Sequence, residues 1–210
     1  QIWANTSSVP DSRVTEQIDR LNEDFGRTNS NASSTPSVFS AVDTEIRFCL
    51  ANKDPQGAFT TGIIRRTGSD PAGDNDPSLW NTANYLNIFV YPMSQWDLGF
   101  TTLASQAPNN AVHVNTTAFG NTGGAIGMGR TAVHEVGHWL NLEHIWGNGN
   151  CGDDLVSDTP PQQRDNSGCP THPHNSGVCN GNSTGEMFMN YMDYTDDACM
   201  SAFTAGQKTR

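Results

Sequence analysis

The sequence contains no apolar run long enough to cross a bilayer. It has only two lysines, and 11 basic residues in all against 22 acidic ones. A formal net charge of −11 over 210 residues excludes nucleic acid and anionic membrane surfaces as natural partners, and suits basic or neutral ones. Charged residues make up only 16% and hydrophobic ones 35%, while Gly and Pro number 20 and 11, so the chain is loop-rich. Recurring aromatic and β-branched residues separate it from a disordered chain, and its length allows a sizeable core. A phosphate-binding loop is also lacking. The glycine-rich stretch 120–129 has no Lys-Ser/Thr ending and no GxGxxG after a strand, so it reads as a flexible connection. The opening, QIWANTSSVP, carries no signal-peptide pattern and reads as the start of a processed form.

Cysteine is nearly absent from the first two thirds. Cys49 lies there alone, in TEIRFCLA, and reads as a buried thiol in a strand. Cys151, Cys169, Cys179 and Cys199 fall in the last third, among Gly, Pro, Asn and Asp. Such a segment has little apolar material to bury, so cross-links are the natural way to fix it. The spacings give no CxxC pair, which favours two disulfides over a metal cluster and points to an oxidising, extracellular compartment. Spacing alone leaves three pairings open.

Val14, Ile18, Leu21 and Phe25 recur at helical spacing, predicting a helix over 12–25 with Asp11 as N-cap and Gly26 just past its end. Strands are expected at 43–51 and 59–66 around a turn at 54–57, with polar turns at 67–78. LNIFVY at 86–91 reads as a central buried strand, and AVHVNT at 111–116 as another. Beyond residue 145 the chain is mostly irregular, and His172 and His174 there read as part of a solvated loop. The expected organisation is one domain over 1–210, in two parts, 1–144 and 145–210.

One segment carries chemistry: HEVGHWLNLEH, residues 134–144. His134 and His138 are four apart, so a helix puts both imidazoles on one face, where a single cation can bridge them. Glu135 lies in the same turn, able to reach a water beside that cation but angled away from ligating it. Imidazole nitrogens suit zinc at about 2.0–2.1 Å, and a catalytic zinc commonly has three protein ligands. His144 is the third candidate. A continuing helix would carry it around the axis and along it, so the helix must break first. Asn141 is suited to that break, since Asn tolerates the left-handed conformation that ends helices.

HExxHxx(G/N)xxH followed by a Met-containing turn resembles the signature of the metzincin metallopeptidases. Asn190-Tyr191-Met192-Asp193-Tyr194 resembles that turn, with Met192 as the hydrophobic floor beneath the metal. GRTAVHEVGHWLNLEHIWG, CGDDLVSDTPPQ and NYMDYTDDACMSAFTAGQKTR together look most like the pappalysin family, the ulilysin-like group, over roughly 80–210. One departure is Asn141, where most metzincins have Gly. The resemblance implies an α+β zincin, with a mixed twisted sheet and helices in an upper lobe and an irregular, disulfide-stapled lower lobe. It implies pairing of Cys151 with Cys179 and of Cys169 with Cys199. It implies that Tyr194 approaches the zinc or steadies the transition state, although a core aromatic fits that position too. Asp153, Asp154, Asp158 and Thr159 form an oxygen-rich cluster suited to calcium. N-caps and turn residues would look the same, and the family's structural calcium favours the ion. Asp197 is implied at the base of the pocket that selects Arg or Lys after the scissile bond, against a solvated acidic turn.

The sequence therefore reads as a secreted, monomeric zinc endopeptidase acting on basic protein or peptide substrates, with Glu135 as general base. The substrate is expected to run extended along the strand near 111–116. Two rivals are a non-catalytic, calcium-dependent extracellular binding module and a zinc hydrolase of a non-peptide bond. The carboxylate of Glu135 argues against the first, since a metal scaffold has no need of it.

Overall fold

The computed structural model describes residues 1–5, 9–66, 76, 78–105, 110–177 and 179–210, so most of the turns expected at 67–78 lie outside the described residues. The chain begins with β1 (Ile2–Asn5) and α1 (Asp11–Phe25), followed by β2 (Ile63–Arg66) and β3 (Ile88–Tyr91). Then come β4 (Gly99–Phe100), β5 (Val112–Asn115), α2 (Arg130–Trp139) and α3 (Ala205–Thr209).

A strand covered on both faces must be apolar throughout. LNIFVY meets that condition, and all four residues of β3 are buried. β3 lies at the centre of a five-stranded sheet of order β2-β1-β3-β5-β4. The first four strands run parallel, with Ile2 opposite Ile63 and Ile88 opposite Val112. β4 closes the edge antiparallel to β5, with Gly99 opposite Val114. Alternate residues face opposite sides. Ile88, Val90, Val112 and Val114 pack with Leu21 and Phe25 of α1 and Val133 and Val136 of α2. Trp3, Phe89 and Tyr91 form a smaller cluster on the other face. There the His113 ring is sandwiched between Phe89 and Phe100, with centroids 5.2 and 4.3 Å away.

Several expectations need correction. The segment 43–51 forms no strand, because its backbone partners come from α1. The Asn22 side chain exchanges two hydrogen bonds with the backbone of Phe48, and Thr44 donates to the Phe25 carbonyl. Glu45, at φ +67°, also breaks any extended run. Cys49 is accordingly exposed rather than buried. The strand expected at 59–66 is confined to β2. Pro10, not Asp11, caps α1, and Asp11 pairs with Arg65 from within the first turn.

Past residue 145 regular structure is sparse and cross-links replace it. Cys151 is bonded to Cys179, and Cys169 to Cys199. Fully buried Asp193 accepts hydrogen bonds from Asn166 N, Asn166 Nδ2 and Gln162 Nε2 at 2.8–3.1 Å, tying loop to loop. His172 packs on Phe39 and His174 on Phe188. Met187, Tyr191, Met192 and Phe203 join the core under the sheet, so both parts of the chain share one interior.

Candidate active site

Helix α2 has Gly129 as its N-cap, at φ +81°. Its first residue, Arg130, is buried and bonds Asp24 of α1 through Nε and Nη2 at 3.0 and 3.1 Å. Arg130 also donates to the Asp197 carbonyl. A buried, two-pronged ion pair of this kind fixes where the helix begins and how it is turned. His134, Glu135 and His138 all fall on its buried side.

The helix ends as a Schellman motif. Asn141, at φ +73°, donates to the His138 carbonyl at 2.8 Å, and Leu142 donates to the Gly137 carbonyl at 2.9 Å. The left-handed residue reverses the chain and returns His144 to the other two imidazoles. Ligand atoms of His134, His138 and His144 all lie within 4.8 Å of one another. Among the described residues, no other group of three or more His, Cys, Asp or Glu side chains converges so closely.

The second nitrogen of each ring shows what this cluster suits. Nδ1 of His134 donates to the Tyr191 carbonyl and Nδ1 of His138 to the Leu142 carbonyl, both at 2.7 Å. Nδ1 of His144 meets Oδ1 of Asn148 at 2.5 Å. With every Nδ1 protonated, each Nε2 presents a lone pair. Nε2 of His138 and of His144 are 3.1 Å apart, and two lone pairs cannot share a hydrogen bond. A cation between them removes the conflict, and three neutral imidazoles are a zinc-type donor set. Burial, then the neighbouring imidazoles, pushes His134 well below its usual range. Burial and then His144 lower His138 to about 4, so the rings stay neutral.

Met192 lies fully buried beneath the helix, its amide bonded to Oδ1 of Asn190. A Cβ on Gly137 would overlap the Met192 sulfur, so the glycine lets the two elements touch. The Tyr194 hydroxyl is 3.0 Å from Nε2 of His144, and the residue is 52% exposed. Burial, then the charge of Glu135, raises that hydroxyl to about 12, so it stays a donor. Burial raises Glu135 to about 8, with the Thr101 hydroxyl pulling the other way, and among the described residues its buried Oε2 makes no hydrogen bond. An unpartnered buried carboxylate oxygen beside a metal-type cluster is a place for a water.

A cleft of about 430 Å³ opens beside His134 and Glu135. Trp96 and Ile126 line it with Asp193, Asp196 and Asp197. Asp197 is 3% exposed, and its Oδ2 accepts from the amides of Met128 and Arg130. Asp196 is half-buried. The cleft also touches Leu98 and Gly99, at the free edge of the sheet. The strand expected to receive substrate, 111–116, corresponds to β5, which is paired on both sides. Among the described residues the outermost strand on that side is β4, whose two residues cover β5.

The acidic cluster of the lower part divides. Asp153 and Asp154, with Thr159, line a separate cavity of about 550 Å³. Thr159 Oγ1 contacts both carboxylate oxygens of Asp154, at 2.9 and 2.7 Å. Asp158 points elsewhere and accepts from Thr204 Oγ1 and Gly206 N at the start of α3. Two neighbours of His144 gave no sequence signal. Asn148 is one, and Trp146 is the other, its ring stacked on the imidazole at 4.2 Å. An Asn four residues past the third histidine, in GNGN, is a weak cue at most.

Comparison with known proteins gives the family and the fold. Residues 74–210 match the family described as Pregnancy-associated plasma protein-A. An extracellular metalloprotease of Arthroderma otae is 33% identical over 216 residues, spanning 98% of this chain and 71% of that protein. Extracellular metalloprotease 1 of Coccidioides posadasii is 47% identical over 139 residues, 60% of this chain and 48% of that protein. Mature mirolysin of Tannerella forsythia, solved in complex with a cleaved peptide, is 40% identical with a TM-score of 0.89, over 99% of this chain and 87% of that one.

Proposed function

Because the chain belongs to the Pregnancy-associated plasma protein-A family of peptidases, and is thereby a zinc metalloendopeptidase of α+β metzincin fold, we propose that His134, His138 and His144 hold the zinc and that Glu135 is the general base. The convergence of three metal-type nitrogens beside the buried Oε2 of Glu135 carries this reading. Zinc bound there supplies Lewis acidity, polarising the scissile carbonyl and acidifying a water. Glu135 takes the proton of the attacking water and passes it to the leaving amine. The Tyr194 hydroxyl donates to the oxygen on which negative charge develops. Carbonyls of Tyr191 and Leu142 keep two of the rings in the tautomer with Nε2 free.

The substrate is an extended peptide that adds to the free edge of β4, beside Glu135. The acidic lining favours Arg or Lys after the scissile bond, with Asp197 as the deeply buried charge and Asp196 beside it. Asp153, Asp154 and Thr159 bind a structural calcium ion in their own cavity. Asp158 helps from outside that cavity by anchoring α3. The chain acts as a monomeric catalytic domain outside the cell, its two parts meeting at the metal site. That setting is supported by the two disulfides and by relatives named as extracellular enzymes. Family membership removes the reading as a non-catalytic binding module.

The test is hydrolysis of a quenched fluorescent peptide library, with and without a zinc chelator. Cleavage before Arg or Lys, abolished by chelator and restored by zinc, is expected. Cleavage that survives zinc removal would sink the triad as the metal site. A preference for apolar residues after the cut would sink the acidic selection.

A further inference from the structure

We propose that Asn148 is a positioning residue for His144, selecting the one ring orientation in which its Nε2 faces the other two imidazoles. This inference rests on the reading of the three histidines as zinc ligands. His134 and His138 are oriented by backbone carbonyls, which no substitution of a side chain removes. His144 lies beyond the helix, in irregular chain, and the acceptor for its Nδ1 is a side chain.

Two constraints on that ring are visible. Trp146 stacks on it at 4.2 Å and 6°, which fixes its plane. A stacked ring can still flip about Cβ–Cγ, exchanging Nδ1 with carbon and turning Nε2 away. The amide of Asn148 distinguishes the two edges, because Oδ1 accepts from Nδ1 and has nothing to accept from the flipped ring. The amide is itself oriented, with Nδ2 directed to Oε2 of Glu143 at 3.4 Å. The local chain is built to deliver it. Gly147 donates to the His144 carbonyl at 2.8 Å, and Gly147 and Asn148 adopt φ of +62° and +53°. That reversal swings a side chain four residues on back to the ring. Gly152 then donates to the Trp146 carbonyl at 3.1 Å, and Cys151 is bonded to Cys179, so the turn is tied down beyond Asn148.

A simpler account makes Asn148 only a residue that tolerates a left-handed turn. Two substitutions separate the accounts. Asn148→Gly keeps the turn and removes the acceptor; Asn148→Asp keeps both. Zinc-loaded proteins, shown to be folded by far-UV circular dichroism, are titrated with a chromophoric chelator. Zinc affinity should fall by about ten- to a hundredfold in Asn148→Gly, as is usual when the partner of a metal-bound histidine is lost, and Asn148→Asp should recover it. The visible spectrum of the cobalt-substituted protein should change in Asn148→Gly and not in Asn148→Asp. Unchanged affinity in Asn148→Gly overturns the proposal, as does an Asn148→Asp as weak as Asn148→Gly. His144→Ala is the control. If it binds zinc as tightly as the parent, the triad reading fails and this inference with it. If it loses zinc while Asn148→Gly does not, only this inference fails.

Discussion

Gly137 and Met192 are in contact with no room for a methyl group between them, since a Cβ on the glycine would overlap the methionine sulfur. Helix α2 and the turn below it are thus fitted together by one absent side chain. Gly137→Ala should destabilise the protein by about 1–3 kcal/mol, the usual range for overpacking a tight core. The measurement is denaturant unfolding. Gly137→Ala combined with Met192→Ala should be less destabilised than the two single changes added together, because the clash is then gone. Strict additivity would show that the contact is not what makes alanine costly.

Glu135→Gln should lower kcat by about a hundred- to ten-thousandfold, the range expected for loss of a general base. Zinc content should be unchanged, because Glu135 lies beside the donor cluster without belonging to it. Elemental analysis alongside peptidase assays tests both halves.

Zinc loading should release a proton from Glu135. Burial holds that carboxyl at about 8, so near neutral pH it is protonated in the zinc-free protein. A nearby cation favours the ionised form, lowering the value and expelling the proton. The histidines are already neutral and contribute little. Calorimetry in buffers of different ionisation enthalpy should show a release that Glu135→Gln abolishes.

Calcium should raise the melting temperature near neutral pH and lose its effect in mild acid. Burial lifts the Asp154 carboxyl to about 6. Without calcium the folded state holds this proton more tightly than the unfolded chain, so ionising it costs stability as pH rises through that value. Calcium needs the ionised form and relieves the cost. Its benefit is therefore full above about 6 and fades as pH falls below it. Differential scanning calorimetry at two pH values decides this, and an equal shift at both would place the ion elsewhere.

Cys151→Ser with Cys179→Ser should cost about 3–4 kcal/mol on the chain-entropy estimate for a loop of 28 residues. Beyond that loss, zinc should dissociate faster, because the turn carrying Asn148 loses its tether. Chelator-driven release, measured by stopped flow below the melting transition, reads this separately.

Much of the site could be read from residues alone, because its elements are local. Four apolar residues at helical spacing gave α1, a continuous apolar run gave β3, and HEVGH with Asn141 gave both the helix and its end. What escaped depends on partners distant in sequence. The segment 43–51 alternates like a strand, yet one Asn22 side chain occupies its Phe48 backbone groups. β4 is two residues long and has no pattern to detect. Asp158 resembles a calcium ligand until its partners, Thr204 and Gly206, are brought to it from the far end of the chain.

The brevity of β4 has a bearing on solubility. A long, flat, unpaired strand at a sheet's border invites a second copy to seam onto it, and repetition of that event yields fibrils. Two residues present too few main-chain groups for such growth, while the extended peptide proposed above would also be held by its side chains in the cleft. β4 can therefore stand at the border of the sheet without offering a second copy a strand to extend.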